Sequence, residues 1–410
     1  MKLSRILTFL FFLAFFLKAY AKEVFIEPGP NAQEKLQEAM ILMETGDTLV
    51  IKSGVYVLED SLSLDVDKVI VRGEGMDKTI LDFHDQKSGA QGLLVTSDAV
   101  TLKDFAILNA KGDALKVIGA KGISMIGLKI KPEWTGGQKS TNGAYGFYPV
   151  ESEDVLIDKC VAIGASDAGI YVGQSKNIIV RNSIAQYNVA GIEIENSYYA
   201  DVYGNLASHN TAGILIFDLP DLPQQGGHHV RVFDNESIDN DTDNFAPEGN
   251  IVGEVPRGSG IIVMANSDVE IFGNVISGNG TVNLSIVSYG DDTEDSNYYP
   301  HPKRIQVHGN SFGPSGFNPD LGTGDLAKVL FEVSDGEMTD IFWDGVVPFS
   351  QMFFGQPENE RLVVNEDNGT DFLAIKPIKY LLGFSAPINK DLHQFKGIIN
   401  PLPPVQIEPF

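Results

Sequence analysis

The chain has 410 residues, 43% hydrophobic and 21% charged, a balance that supports a packed core and excludes a disordered or fibrous chain. Acids outnumber bases 55 to 30, for a formal net charge of −25, a surface that repels phosphates and makes nucleic acid and anionic membranes poor partners. A single cysteine, Cys160, excludes an intramolecular disulfide, a cysteine zinc site and covalently attached c-type haem.

Residues 1–21 read as a secretory signal. Lys2 and Arg5 precede an apolar run from Ile6 to Leu17, and Ala19-Tyr20-Ala21 supplies the small residues that a signal peptidase reads. The run is too short to span a bilayer comfortably. The expectation is an exported protein, periplasmic or extracellular, with no membrane span once the signal is removed and existing as a monomer. Residues 22–46 then predict a strand and one helix. Asn31 is placed as its N-cap, Glu34 as the capping-box partner, Ala32, Leu36, Ala39, Met40 and Met43 as its buried face, and Gly46 as its stop.

From 47 to 313 the sequence repeats itself. Gly146-Phe-Tyr-Pro-Val150, Gly169-Ile-Tyr-Val172, Gly191-Ile-Glu-Ile194, Gly213-Ile-Leu-Ile216 and Gly260-Ile-Ile-Val263 recur at steps of 23, 22, 22 and 47 residues. A second motif interleaves with them: Val202-Tyr-Gly-Asn205, Val232-Phe-Asp-Asn235, Ile271-Phe-Gly-Asn274 and Val307-His-Gly-Asn310. A period near 22 with several short strands per unit means a solenoid, because no single unit holds enough apolar residues for its own core. The predicted fold is an all-β, right-handed parallel β-helix of about ten turns at ~4.8 Å each, plugged at one end by the helix. The recurrent asparagines read as ladder residues that tolerate left-handed backbone and bond along the stack. That reading takes precedence over glycosylation at Asn235, Asn240 and Asn279, which match the acceptor pattern. Residues 314–410 lose the repeat, carry Pro401, Pro403, Pro404 and Pro409, and are expected to pack along the solenoid or cap it.

In a strand of the form Gly-Ile-x-Val, x points outward. Turn by turn, the outward row reads Leu94, Lys116, Tyr148, Tyr171, Glu193, Leu215, Ile262 and Ser285. Lys116, Tyr148, Tyr171 and Glu193 thus form a line that suits a sugar chain, with aromatic faces for pyranose rings, a cation for a uronate, and groups that exchange protons. Insertions at Pro132–Asn142, Asp218–His229, Asp241–Gly258 and Tyr289–Lys303 are placed to wall such a groove. Asp218, His228, His229 and Arg231 form a second candidate cluster, for proton removal α to a carboxylate or for binding a transition metal. Asp167, at the edge of the tyrosines, reads as a turn residue or as an acid at the groove, and His209 as a turn corner beside Tyr187. Calcium would help so acidic a protein accept a uronate polymer, and Asp239–Asp243 and Asp291–Asp295 are the runs with oxygen ligands to offer.

The stretches Gly143-Ala-Tyr-Gly-Phe-Tyr-Pro149, Gly164-Ala-Ser-Asp-Ala-Gly-Ile-Tyr-Val172, Ala190-Gly-Ile-Glu-Ile-Glu-Asn196, Gly213-Ile-Leu-Ile-Phe-Asp-Leu-Pro220 and Asn244-Phe-Ala-Pro247 closely resemble the exported parallel β-helix repeat proteins of bacteria. Many of these are encoded beside a second exported protein of c-type cytochrome kind. The resemblance implies the fold, an exported address and an exported haem protein as partner, but no settled activity. More distantly the chain is similar to β-helix carbohydrate-binding proteins and sugar hydrolases, and to the periplasmic β-helix protein that assists copper-site assembly in nitrous oxide reductase. Two functions follow. One is binding, with processing of lyase or C5-epimerase type, of a polysaccharide; the alternative is a non-catalytic scaffold for a redox or metal-site partner. Polygalacturonase-type hydrolysis ranks third, for want of a compact aspartate constellation.

Overall fold

The computed structural model describes residues 21–132, 142–291, 293–367, 369–383 and 387–407. The predicted signal up to residue 20, most of the insertion between Pro132 and Asn142, Asp292 and Pro409 lie outside them. Each coil gives one strand to each of three sheets, as Lys176–Arg181, Ile184–Gln186 and Ala190–Glu195 do for sheets one, two and three. Among the described residues, sheets one and three have twelve strands and sheet two has ten. Pairing along the stack is parallel, as between Ile170 and Ile192 and between Val180 and Val202. Alternation then sends Ile170 and Val172, Ile178 and Val180, and Ala185 into one continuous core, where each is fully buried.

The two sequence motifs form a single device. Asn205, Asn235, Asn274 and Asn310 stack with each amide Nδ2 donating to the next Oδ1 at 2.9–3.0 Å. Asn188, Asn210, Asn240 and Asn279 form a second column at 2.9–3.1 Å. The left-handed residue is the one before each asparagine, not the asparagine itself. It is Gly204, Asp234, Gly273 and Gly309 in one column, and Tyr187, His209, Asp239 and Gly278 in the other. The Tyr187 and His209 rings stack there, 5.4 Å apart. The repeated glycines make room for the second column: a Cβ at Gly169, Gly191, Gly213 or Gly260 would lie 2.6–2.9 Å from the amide nitrogen of Asn188, Asn210, Asn240 or Asn279. Asn235, Asn240 and Asn279 are therefore buried, out of reach of a glycosyl donor.

At the N-terminal end the helix Ala32–Leu42 buries Ala32, Leu36, Ala39 and Met40 against Tyr56, Leu58 and Leu62 of the first coil. The capping box expected of Asn31 and Glu34 is not formed. Asn31 is left-handed (φ 61°) and its side chain caps nothing, whereas a capping side chain needs extended backbone to reach the free N–H groups.

Stacking continues past residue 313. Ile341–Trp343 and Phe372–Ile375 extend sheet three, Val363–Asn365 extends sheet one, and Ile388–Asn389 closes sheet three by pairing antiparallel to Phe372–Ile375. The proline-rich tail then runs back along sheet one. The backbone N–H groups of Asn400, Leu402 and Val405 donate to Gln306 Oε1, Glu270 Oε2 and Asp201 Oδ2. Glu270 and Asp201 lie two coils apart, ~9.6 Å, and the three residues from Leu402 to Val405 span ~9.3 Å as polyproline II. The strap is thus matched to the repeat. Ending the chain after Lys396 is expected to lower unfolding free energy by about 2–4 kcal/mol, the worth of three partly solvent-exposed hydrogen bonds, in urea titrations; an unshifted midpoint would show that the strap lies on the sheet without holding it.

Candidate functional site

The outward row of sheet three stands in the expected register. Lys116 faces Leu94 and Tyr148, Tyr171 faces Glu193, and the row continues through Leu215, Ile262 and Ser285. Its exposure departs from expectation. Lys116 and Tyr148 are partly open, but Tyr171 is 4% and Glu193 2% exposed. The insertion Asp241–Gly258 does not wall this face; it lies on it, packing Phe245, Val252 and Val255 onto Tyr171, Leu215, Phe217 and Ile262. The four-residue line is open only at its Lys116–Tyr148 end. Phe245, Val252 and Val255 carried the signal, but an apolar residue inside an insertion does not say which surface it covers.

At the open end the Lys116 ammonium lies 4.5 Å from the Tyr148 ring centroid and 3.5 Å from Asp113. Tyr145 stacks on Tyr148 with centroids 4.2 Å apart, and Tyr171 meets Tyr148 edge-on at 5.1 Å. The Tyr171 hydroxyl donates to Glu195 Oε1 at 2.7 Å, and Gln174 Nε2 donates to both oxygens. Gly173 makes this possible, since a Cβ there would lie 2.1 Å from the Tyr171 hydroxyl. Beneath the insertion Asp167 accepts from Asn250 Nδ2 at 3.1 Å and from Tyr145, so it is a buried acid tying sheet to insertion rather than a simple turn residue. Glu193 Oε2 is buried with no partner among the described residues.

Burial dominates the electrostatics. It pushes Asp167 and Glu195 up to about 7, and drives Glu193, fully enclosed beside both, well above the usual carboxylate range. Tyr148 is raised to about 12 by burial and by neighbouring carboxylates, and Tyr145 and Tyr171 higher still, so all three keep their phenolic protons. Glu195 could have been found from sequence, since Gly191-Ile-Glu-Ile-Glu195 puts its two acids on one face. Asp113, Gln174 and Asn250 had no comparable signal.

The second predicted cluster is not assembled. Asp218 is buried at the end of sheet three and accepts the N–H groups of Gly226 (3.1 Å) and Gly227 (2.7 Å); burial raises it to about 6 despite those bonds. Arg231 lies on the outward face of sheet one, 3.0 Å from Asp201 and 4.7 Å from the Phe233 ring. His228 stacks on Tyr198 at 4.4 Å, and His229 lies 3.8 Å from Asp268, whose carboxylate Arg304 holds. The two histidine rings meet at 4.8 Å, but Arg231 is engaged by Asp201 and Asp218 by the Gly226 and Gly227 N–H groups, so the four do not converge on one point. Within the acidic runs, Asp241 pairs with His209, Asp243 with Arg257, and Asp295 accepts from Gln225. Among the described residues no group of three or more His, Cys, Asp or Glu side chains is placed to hold a metal ion.

Parallel coils, three sheets and paired asparagine columns define a parallel β-helix protein. The family model for the right-handed β-helix region matches residues 69–221 and 138–312, and the chain belongs to that family. No curated protein sequence matches it. Among solved structures, the A-module of the mannuronan C-5 epimerase AlgE6 from Azotobacter vinelandii is 18% identical, with 84% of this chain and 90% of that one covered and a TM-score of 0.47. The alginate lyase of Paenibacillus sp. str. FPU-7 is 14% identical, with 74% and 96% covered and a TM-score of 0.34. The family 28 exopolygalacturonase of Yersinia enterocolitica is 11% identical, with 80% and 71% covered and a TM-score of 0.46. No helix among the described residues is long and apolar enough to cross a membrane.

Proposed function

We propose that this chain binds the end of a uronate-containing glycan, or a short oligosaccharide, at the Lys116–Tyr148 end of sheet three. The observation that carries the reading is the juxtaposition of the Lys116 ammonium, the Tyr145–Tyr148 stack and the Tyr171–Glu195 pair where the sheet emerges from beneath Asp241–Gly258. The insertion stops a long chain from lying along the row, so the site suits chain ends. Lys116 supplies one cation for one sugar carboxylate. Processing of lyase or epimerase type would use Glu195, poised near neutrality, to take the proton α to that carboxylate once the contacts over it open; the partly open Tyr148 would give its proton to the leaving glycosidic oxygen in a lyase, or to the opposite face of the same carbon in an epimerase. An exported location, where such glycans are met, accompanies this reading.

Calorimetry with oligouronates of three to six units, with and without calcium, tests it. Lys116→Ala is expected to weaken binding at least tenfold, and unsaturated-product absorbance would mark lyase activity. Failure of the wild-type protein to bind any uronate or neutral oligosaccharide would remove the proposal. The accessory-scaffold reading rests on one observation, that the Nδ1 atoms of His228 and His229 are 3.1 Å apart; titration with copper, and capture of an exported haem protein, test that one.

A further inference from the structure

A cavity of about 520 Å³ lies near the C-terminal end of the solenoid, far in the fold from the tyrosine row. Its floor is apolar: Trp343, Val347, Met352, Ile375 and Phe395 line it. Its rim is basic: Lys376 and Lys379 stand on it, and neither has an ion-pair partner among the described residues. In a chain with 55 acids against 30 bases, an apolar hollow beside two unpaired lysines runs against the general charge. The helix Phe349–Phe354 supplies Gln351 and Met352 to the wall and turns Phe349, Phe353 and Phe354 outward, where they are 75%, 60% and 91% exposed. Exposed aromatics continuous with an apolar cavity are unusual for a soluble surface and mark a binding region. Gln351 also leaves its buried Oε1 without a hydrogen-bond partner, while its amide nitrogen is fixed at 2.7 Å by Glu360.

We propose that this cavity binds an anionic amphiphile, a molecule with an apolar chain or ring seated against Trp343, Met352 and Phe395 and a carboxylate paired with Lys376 and Lys379. Phe349, Phe353 and Phe354 would shelter the part of a longer chain that the cavity cannot enclose. An anionic headgroup is selected because a neutral one leaves both lysines as they are, whereas a carboxylate gains two charge-assisted bonds at a partly desolvated rim. A phospholipid surface offers the same chemistry, but the high negative charge of the whole molecule opposes approach to an anionic bilayer, so the free amphiphile is the expected occupant.

The test is calorimetric titration of the full chain with dodecanoate below its critical micelle concentration, with dodecanol as the neutral control. Saturable one-to-one binding is expected, at least tenfold tighter for dodecanoate than for dodecanol. The double substitution Lys376→Glu with Lys379→Glu should erase that preference while leaving the unfolding midpoint in place. Met352→Glu, which charges the floor and spares the rim, should abolish binding of both probes. Sedimentation with phosphatidylcholine vesicles containing phosphatidylglycerol separates the two sources, and no co-sedimentation is expected. Equal affinity for acid and alcohol, binding that survives both sets of substitutions, or capture by vesicles without binding of free dodecanoate would each overturn the proposal.

Discussion

Urea unfolding is expected to become easier by at least about 3 kcal/mol as pH rises from 5 to 8, since each tenfold difference in proton affinity between folded and unfolded chain is worth about 1.4 kcal/mol. Asp167 and Glu195 sit near 7 and Asp218 near 6 in the folded chain, and Glu193 is raised further in the same direction. Unfolded, all four return to about 4. Each therefore binds its proton more tightly when folded. The stability this confers is full below about pH 4, declines as pH climbs, and is gone above the folded value. Mutual repulsion among the acids makes their contributions non-additive. His228, held below its usual range chiefly by burial, works the other way and only below about pH 6.5. Glu193→Gln replaces a fully enclosed acid by a neutral isostere and should flatten part of the slope while raising stability at pH 8. A flat profile, or one that rises towards pH 8, would mean that water reaches these carboxylates.

Asn240→Ala is expected to cost about 3–5 kcal/mol. Asn240 Oδ1 accepts from the backbone N–H of Asn210 at 3.2 Å and from its amide at 3.1 Å, while its own amide donates to Asn279 at 3.0 Å. Truncation strands two fully buried donors of Asn210, each worth about 1–3 kcal/mol when left without an acceptor, and opens a void in a close-packed bend. Asn310→Ala strands the corresponding donors of Asn274, but at the half-buried end of the other column, where water can replace the lost acceptor, and should cost less. Denaturant titration of the pair decides the matter. Equal losses would show that position in the stack does not govern the value of a rung.

The stack was legible in the sequence because its period is enforced twice over. Ile170, Ile192, Ile214 and Ile261 are all fully buried in register, and the glycine before each is required by an asparagine amide beside it. The register of Lys116, Tyr148, Tyr171 and Glu193 followed from the same alternation. Their burial did not, because it depends on where residues 241–258 come to rest, and no local periodicity encodes that. The acid–histidine cluster failed for a related reason. Asp218, His228 and Arg231 are close in sequence but belong to a strand end on one sheet and to different places along a strand of another, each engaged by its own partner. The Asn31 cap failed because cap chemistry depends on a backbone angle that composition leaves free.

The antiparallel closure by Ile388–Asn389 has a consequence for how these molecules meet one another. A rod of identical parallel rungs is its own template, and a second rod arriving end to end could continue it into a fibre. Here the last long rung of sheet three is occupied by a two-residue segment of opposite polarity, and the first coil is roofed by a helix that offers no strand edge. Growth through sheet three is thus blocked at one pole by direction, and across the helix at the other by shape.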